Sequence, residues 1–199
     1  MKLCYSALSP FARKVRVTAI EHGLMDQLEK VDPDTSDMFK GFNRANPLGK
    51  IPSLELDNGD LIYDSIVICE YLDSIGKGPK LFPPAGPERW RVLTLHTMAD
   101  GMMDNTLQRR VNSLLPEGEG SPSWMERLRF GIENCLDEME RQADGYGEAL
   151  NIGTITVACA LGYHDFRLGY EQWRNGRPAL TRWYEKMLKH TSISETLPG

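Results

Sequence analysis

Three short stretches hold side chains whose types and order could do chemistry. The first is Ser9-Pro10-Phe11, where a short apolar segment gives way to a helix. A serine there stands beside a helix amino end, which carries partial positive charge and free N–H groups. A hydroxyl in that field favours a bound thiolate over a thiol. A free thiol has a pKa near ~8.5, and lowering it by ~2 units takes ~2.7 kcal/mol of preferential stabilisation. One charge-assisted hydrogen bond of ~1.5–3 kcal/mol plus a helix field of ~0.3–1 kcal/mol is of that size. Taken alone, the same serine reads first as a plain helix cap. The second stretch is Lys50-Ile51-Pro52. A proline opening a strand cannot donate to the ladder. With a cis bond ahead of it, the Ile51 N–H and C=O would face outward, free to pair with a peptide-like ligand by strand addition. With the commoner trans bond the stretch is an ordinary turn. The third is Asp64-Ser65 at a helix start. Backbone N–H groups and the Ser65 hydroxyl can hold a carboxylate there, and Asp64 can hold a neighbouring ammonium; the dipeptide is also a good cap and nothing more.

These residues have to be positioned by the elements around them. Lys2 to Tyr5 is a short strand, and a helix runs from Pro10 to about His22, where Gly23 stops it. Leu28 to Val31 is a weak strand, and a short helix is expected over about Ser36 to Ala45. Asn46 to Leu56 reads as a turn entering a strand, Asp57-Asn58-Gly59-Asp60 as a hairpin turn, and Leu61 to Tyr63 as the returning strand. Ile66, Ile68, Cys69 and Leu72 then recur at helical spacing. The order β-α-β-α-β-β-α requires a mixed sheet. Gly76-Lys77-Gly78-Pro79 and Pro83-Pro84-Ala85-Gly86-Pro87 mark a linker over 77–86, dividing a domain over 1–76 from one over 87–199. Beyond it the pattern is helical: about 87–114, 122–144, 152–168 and 178–189, the third mostly apolar and therefore central.

Bulk properties exclude several classes. The chain has 199 residues and a formal net charge of -5. Nucleic-acid binding asks for a basic stripe, and the one local cluster, Arg13, Lys14 and Arg16, is too small to supply it. Cys4, Cys69, Cys135 and Cys159 form no C-x-x-C pair and read as buried free thiols. His22, His96, His164 and His190 show no metal-ligand spacing, so no metal is expected. Gly49-Lys50 lacks the rest of a phosphate loop. Trp90, Trp124, Trp173 and Trp183 read as core or interface groups. No apolar stretch is long enough for a signal peptide or a membrane span, which leads to the expectation of a cytoplasmic protein with no membrane partner.

Read together, the three stretches describe one ligand with an amino-acid head, an extended peptide middle and a thiol tail. Glutathione has all three. The residues that carry them resemble the cytosolic glutathione S-transferase family, bacterial and of the serine type. The resemblance rests on Ser9 to Arg16, Asn46 to Pro52 and Asp64 to Leu72, and in the second half on Ala99 to Asp104, Ala158 to Tyr163, and Pro178-Ala179-Leu180 with Trp183. It implies a thioredoxin-like first domain, an all-α helical-bundle second domain, a cis Pro52, and a homodimer. It further implies glutathione as co-substrate held by Ser9, Phe11, Lys50, Ile51, Pro52, Asp64 and Ser65, with Ser9 as the catalytic group. The hydrophobic electrophile would meet Met102, Met103 and Asn105. The activity implied is transfer of glutathione to an electrophile, with peroxide reduction as a variant; the alternative is a non-catalytic docking or regulatory module on the same fold. Two departures stand out. Ser9 replaces the cysteine that some relatives use for thiol-disulfide exchange. Asn151 and Thr154 replace the usual Ser/Thr and Asp of a helix cap, with an expected loss of roughly 0.5–1 kcal/mol. Tyr5 is a second candidate for thiol activation, or else a packed residue.

Overall fold

The computed structural model describes residues 1–34 and 45–198. The helix expected over 36–45 lies, except for Ala45, outside the described residues. The first half is β1 (Lys2–Cys4), α1 (Pro10–Glu21), β2 (Glu29–Val31), β3 (Ser53–Glu55), β4 (Leu61–Ile62) and α2 (Ser65–Ile75). The strands form one mixed sheet in the order β2-β1-β3-β4. β1 runs parallel to β2 and antiparallel to β3, and β3 pairs antiparallel with β4. The turn between β3 and β4 is set by Gly59, whose φ of 88° suits a residue without Cβ.

The second half is α3 (Pro87–Asn112), α4 (Pro122–Gln142), α5 (Ile152–Leu168), α6 (Pro178–Met187) and a short α7 (Thr191–Ser194). The sequence pattern did not reveal α7, which is only one turn long. This is a thioredoxin-like mixed β/α unit followed by an all-α bundle. Nearly every side chain of α5 is buried, and it packs against α3, α1, α6 and α7. Among the described residues no helix is long and apolar enough to cross a membrane. Trp173 and Trp183 are in the core, whereas Trp90 and Trp124 lie at the surface.

Residues 76–86 carry neither helix nor strand, yet they are pinned. His22 Nδ1 accepts the Gly78 N–H at 3.2 Å, so its proton sits on Nε2, 3.0 Å from Asp73 Oδ1. Asp73 Oδ1 also accepts the Leu81 N–H at 2.6 Å. A Cβ at Gly78 would collide with the Glu21 carbonyl oxygen, which is why glycine sits there.

Two members of the basic cluster on α1, Arg13 and Lys14, belong to the core, while Arg16 is half-buried. Arg13 is 2% exposed and bonds the Ile193 carbonyl (2.9 Å), the Ala158 carbonyl (3.4 Å) and Thr196 Oγ1 (3.3 Å). Lys14 is fully buried, 2.9 Å from His96 Nε2 and paired with Asp100. Two cations on one helix of the first unit therefore clasp the helices of the second. The close approach also needs Gly162 on α5, where a Cβ would strike Arg13 and the Tyr184 hydroxyl.

The departure at the start of α5 is repaired locally. Asn151 Oδ1 accepts the Thr154 N–H at 3.0 Å, and Thr154 Oγ1 accepts the Asn151 N–H at 2.9 Å. A hydroxyl completes the reciprocal cap that a carboxylate was expected to supply, so only the charge–dipole part is missing.

Candidate active site

Ser9 is the residue before the first helical position of α1, with extended backbone (φ −80°, ψ 123°). Its Oγ accepts the Ala12 N–H at 3.3 Å. Pro10 follows at the first helical position, where its missing N–H costs nothing. A hydroxyl carries one hydrogen and two lone pairs. The cap uses a lone pair and leaves the hydrogen to donate elsewhere, so the capping and the donating roles are compatible.

Ser9 opens onto a cavity of about 490 Å³, inside the ~300–1,000 Å³ usual for small-molecule sites. The β1–α1 turn contributes Ser6, Leu8, Ser9, Pro10 and Phe11; the segment before β3 contributes Asn46, Leu48, Lys50, Ile51 and Pro52; the start of α2 contributes Asp64 and Ser65. Every residue expected to hold the tripeptide therefore faces the same cavity. The Ile51–Pro52 peptide bond is cis, as is Tyr63–Asp64. Among the described residues the Ile51 N–H and C=O make no hydrogen bond. Asn46, 3% exposed, braces the turn: its Nδ2 donates to the Lys50 carbonyl at 2.9 Å and its Oδ1 accepts the Leu48 N–H at 3.0 Å. An Asn-Pro pair is a recognised turn signal, so this brace was open to discovery from sequence. At α2, Asp64 Oδ1 accepts the Ile66 N–H at 3.2 Å and Ser65 is buried behind it.

The opposite wall differs from expectation. Met102 and Met103 are fully buried in the core and do not line the cavity. Asn105 does not line it either; it approaches Gly131 on α4. The wall is built by Asp100, Asp104 and Leu107 of α3 and by Tyr163 and Arg167 of α5. Helical phase separates two of the three. At ~100° per residue, positions 100, 104 and 107 share one face, with 102 roughly 170° and 105 roughly 130° away from it; position 103, roughly 70° to the side, is buried in the core.

The charges around the cavity are unevenly placed. Asp100 is held by buried Lys14. His96, beside the same ammonium, is kept neutral: burial first, then Lys14, lower its pKa to about 3. Asp104 has its carboxyl pushed above the usual range, first by the surrounding protein and then by Asp100. Lys50 and Arg167 are the cationic side chains among the described lining residues.

No cysteine lines the cavity. Burial pushes the Cys69 thiol up to about 12 and raises those of Cys159, Cys135 and Cys4. The protein's own thiols are thus poor nucleophiles. Tyr5, 8% exposed, is not on the cavity either; its ring sits 5.6 Å from both the Arg16 guanidinium and the Lys30 ammonium.

A thioredoxin-like unit with a cis proline ahead of its third strand, joined to a helical bundle across a cavity with a serine hydroxyl at a helix start, defines a recognisable class. Residues 8–75 match the family model "Glutathione S-transferase, N-terminal domain", and residues 122–186 match "Glutathione S-transferase, C-terminal domain". The uncharacterized GST-like protein YibF of Escherichia coli (strain K12) is 33% identical over 201 residues, covering 100% of this chain and 98% of its own. A glutathione transferase family member from Pseudomonas fluorescens Pf-5 with bound glutathione superposes with a TM-score of 0.93 at 36% identity, covering 100% and 98% of the two chains. A crystal structure of a family member from the same strain with bound S-(propanoic acid)-glutathione gives a TM-score of 0.91 at 36% identity, covering both chains completely. The chain belongs to the glutathione S-transferase family.

Proposed function

We propose that this chain binds glutathione along the cavity, ionises its thiol at Ser9 and adds the sulfur to an electrophilic small molecule. The Ile51 N–H and C=O pair with the cysteinyl backbone. Asp64 and Ser65 take the ammonium and carboxylate of the γ-glutamyl end, and Lys50 takes the glycine carboxylate. Phe11 packs beside the sulfur. The electrophile enters against Leu107, Tyr163 and Arg167. The functional unit is a homodimer.

One observation carries the reading. The Ser9 hydroxyl keeps its hydrogen free while its oxygen caps α1, and it does so on the wall shared by Ile51, Asp64 and Ser65. The hydroxyl and the helix start stabilise negative charge at one point. The glutathione and S-substituted glutathione held by the Pseudomonas relatives support the same ligand here. The proton leaves the sulfur to solvent, and Ser9 donates to the thiolate without becoming covalently modified. A mixed disulfide at this position needs a cysteine, so thiol exchange through residue 9 is ruled out by its chemistry.

Titration calorimetry with reduced glutathione, followed by turnover with a chloronitrobenzene, tests the proposal. Saturable one-to-one binding and glutathione-dependent release of chloride are expected. Absence of binding would leave the fold as a docking module. Sedimentation velocity checks the dimer.

A further inference from the structure

Among the described lining residues one cation has no assigned partner. Arg167 lies on α5, half-buried, on the wall facing Ser9. Among the described residues no hydrogen bond or ion pair engages it, and its Nε is buried without any partner. Arg109 is paired with Glu171 at 2.5 Å and Arg177 with Glu133 and Asp137 at 2.6 Å; Arg16 shares an unpartnered buried Nε but lies beside Tyr5, off the cavity. Arg167 is instead held by rings, with its guanidinium 4.2 Å from the Phe166 centroid and 5.6 Å from that of Tyr163. Ring contacts of this kind attract the charge and leave its N–H groups unspent. A buried donor without an acceptor is costly to keep.

We infer that Arg167 reads an anionic group, of which a carboxylate is the best match, on the acceptor molecule that receives the glutathione sulfur. This rests on the proposed function above and narrows its substrate class to electrophiles carrying a negative charge. Tyr163 lines both the main cavity and the narrow crevice behind Ser9. Arg167 is four residues further along the same helix, a rise of ~6 Å. The anionic group therefore belongs about that far from the carbon attacked by sulfur, the span of one benzene ring. The three carboxylates among the described lining residues do not compete for this role. Asp104 feels Asp100, Lys50, Lys14 and Asp64 as its charged neighbours, and these groups lie on α1, on α3, at the start of α2 and in the segment before β3. The cavity is thus acidic where the ammonium of the tripeptide enters and cationic where the acceptor enters.

The reaction that exposes the preference is displacement of chloride. The glutathione thiolate forms a C–S bond to the ring carbon, the C–Cl bond breaks, and chloride leaves with the electron pair. A matched pair of acceptors differs only in charge: a chloronitrobenzoate with its carboxylate para to chlorine, and the corresponding benzamide. Their glutathione conjugates serve as binding probes that need no turnover. The wild-type protein is expected to bind the carboxylate conjugate on the order of tenfold more tightly than the amide conjugate, the yield of one charge-assisted hydrogen bond. The ratio of kcat/KM for the two acceptors should follow it once corrected for their uncatalysed rates. Arg167→Gln should bring both ratios close to one, and Arg167→Lys should keep part of the preference because the charge remains while the fork is lost. Equal binding of the two conjugates by the wild-type protein overturns the inference. So does a preference that survives in Arg167→Gln, or a parallel loss of affinity for glutathione itself, which would assign the guanidinium to the tripeptide. Failure of glutathione and both conjugates to bind would instead remove the underlying function, a result that cannot be confused with equal binding.

Discussion

Replacing Ser9 by alanine separates the two duties of one hydroxyl. The first is structural. Losing the bond to the Ala12 N–H costs ~1 kcal/mol, which for a chain of this size lowers Tm by roughly 2–4 °C. The second is chemical. If the hydroxyl donates to the bound thiolate, its removal forfeits ~1.5–3 kcal/mol and raises the thiol pKa by ~1–2 units. The thiolate is the reactive form, so a raised pKa moves the acid limb of the kcat/KM profile to higher pH. Below that limb the variant should be ~10–100-fold slower, and the gap should narrow as pH rises past the new pKa. The helix field of ~0.3–1 kcal/mol remains, so the bound thiol should still titrate below a free one. The assay is a pH–rate profile with a chloronitrobenzene, paired with ultraviolet titration of the bound thiolate and a thermal melt. Ser9→Thr, which keeps both the cap and the hydroxyl, should restore most of each property. A lowered Tm with an acid limb that does not move would show that Ser9 only starts the helix, and the thiol would need another activator.

Three further perturbations probe separate parts of the molecule. Asp64→Asn keeps an oxygen to accept the Ile66 N–H and so keeps α2, but it removes the charge that answers an ammonium. Glutathione affinity measured by calorimetry should weaken on the order of tenfold, and an unchanged Kd would take Asp64 out of the contact. His96 has a folded-state pKa of about 3 against ~6.5 unfolded. Below the unfolded value the unfolded chain binds a proton that the folded chain refuses, so stability is full above about pH 6.5 and falls by ~1.4 kcal/mol per pH unit as the solution is acidified. Urea unfolding between those values should show this slope, and His96→Gln should flatten it by that amount; an equal slope in the variant would mean that His96 is charged in the folded protein. Asn151→Ala breaks one half of the reciprocal cap on α5 and should cost ~1 kcal/mol, or roughly 2–4 °C in Tm. A melt within error of wild type would show that Thr154 secures the helix start unaided.

What could be read from sequence was local. Asn58-Gly59 announces its turn because only certain residues tolerate a positive φ, and Gly59 has one. Ser9, Pro52, Asp64 and Ser65 stand at a helix start or strand start whose chemistry is fixed by the neighbouring few residues. The far wall of the cavity obeys a different rule. Whether a position on α3 faces solvent, core or ligand depends on the rotation of that helix against α1 and α5, and nothing within a few residues records the rotation. The resemblance implied an acceptor wall at 102 and 103, but an apolar side chain is also the first to enter a core, and that is where both went. Nothing in the sequence marks Arg13 and Lys14 for burial, since cations are seldom buried. Their burial follows from the carbonyls and the Asp100 carboxylate that a second unit brings to them. Arg167 was hidden by the same logic in reverse. A basic residue in the last turn of a helix is the ordinary complement to its dipole, so its type and place raise no question. Only the assembled structure shows that among the described residues no acceptor meets its Nε and that the serine lines the same cavity. The wall proposed for the tripeptide is built from caps and turns and is written in short motifs. The wall proposed for the acceptor is built from helix faces, so on this proposal substrate choice is encoded by packing.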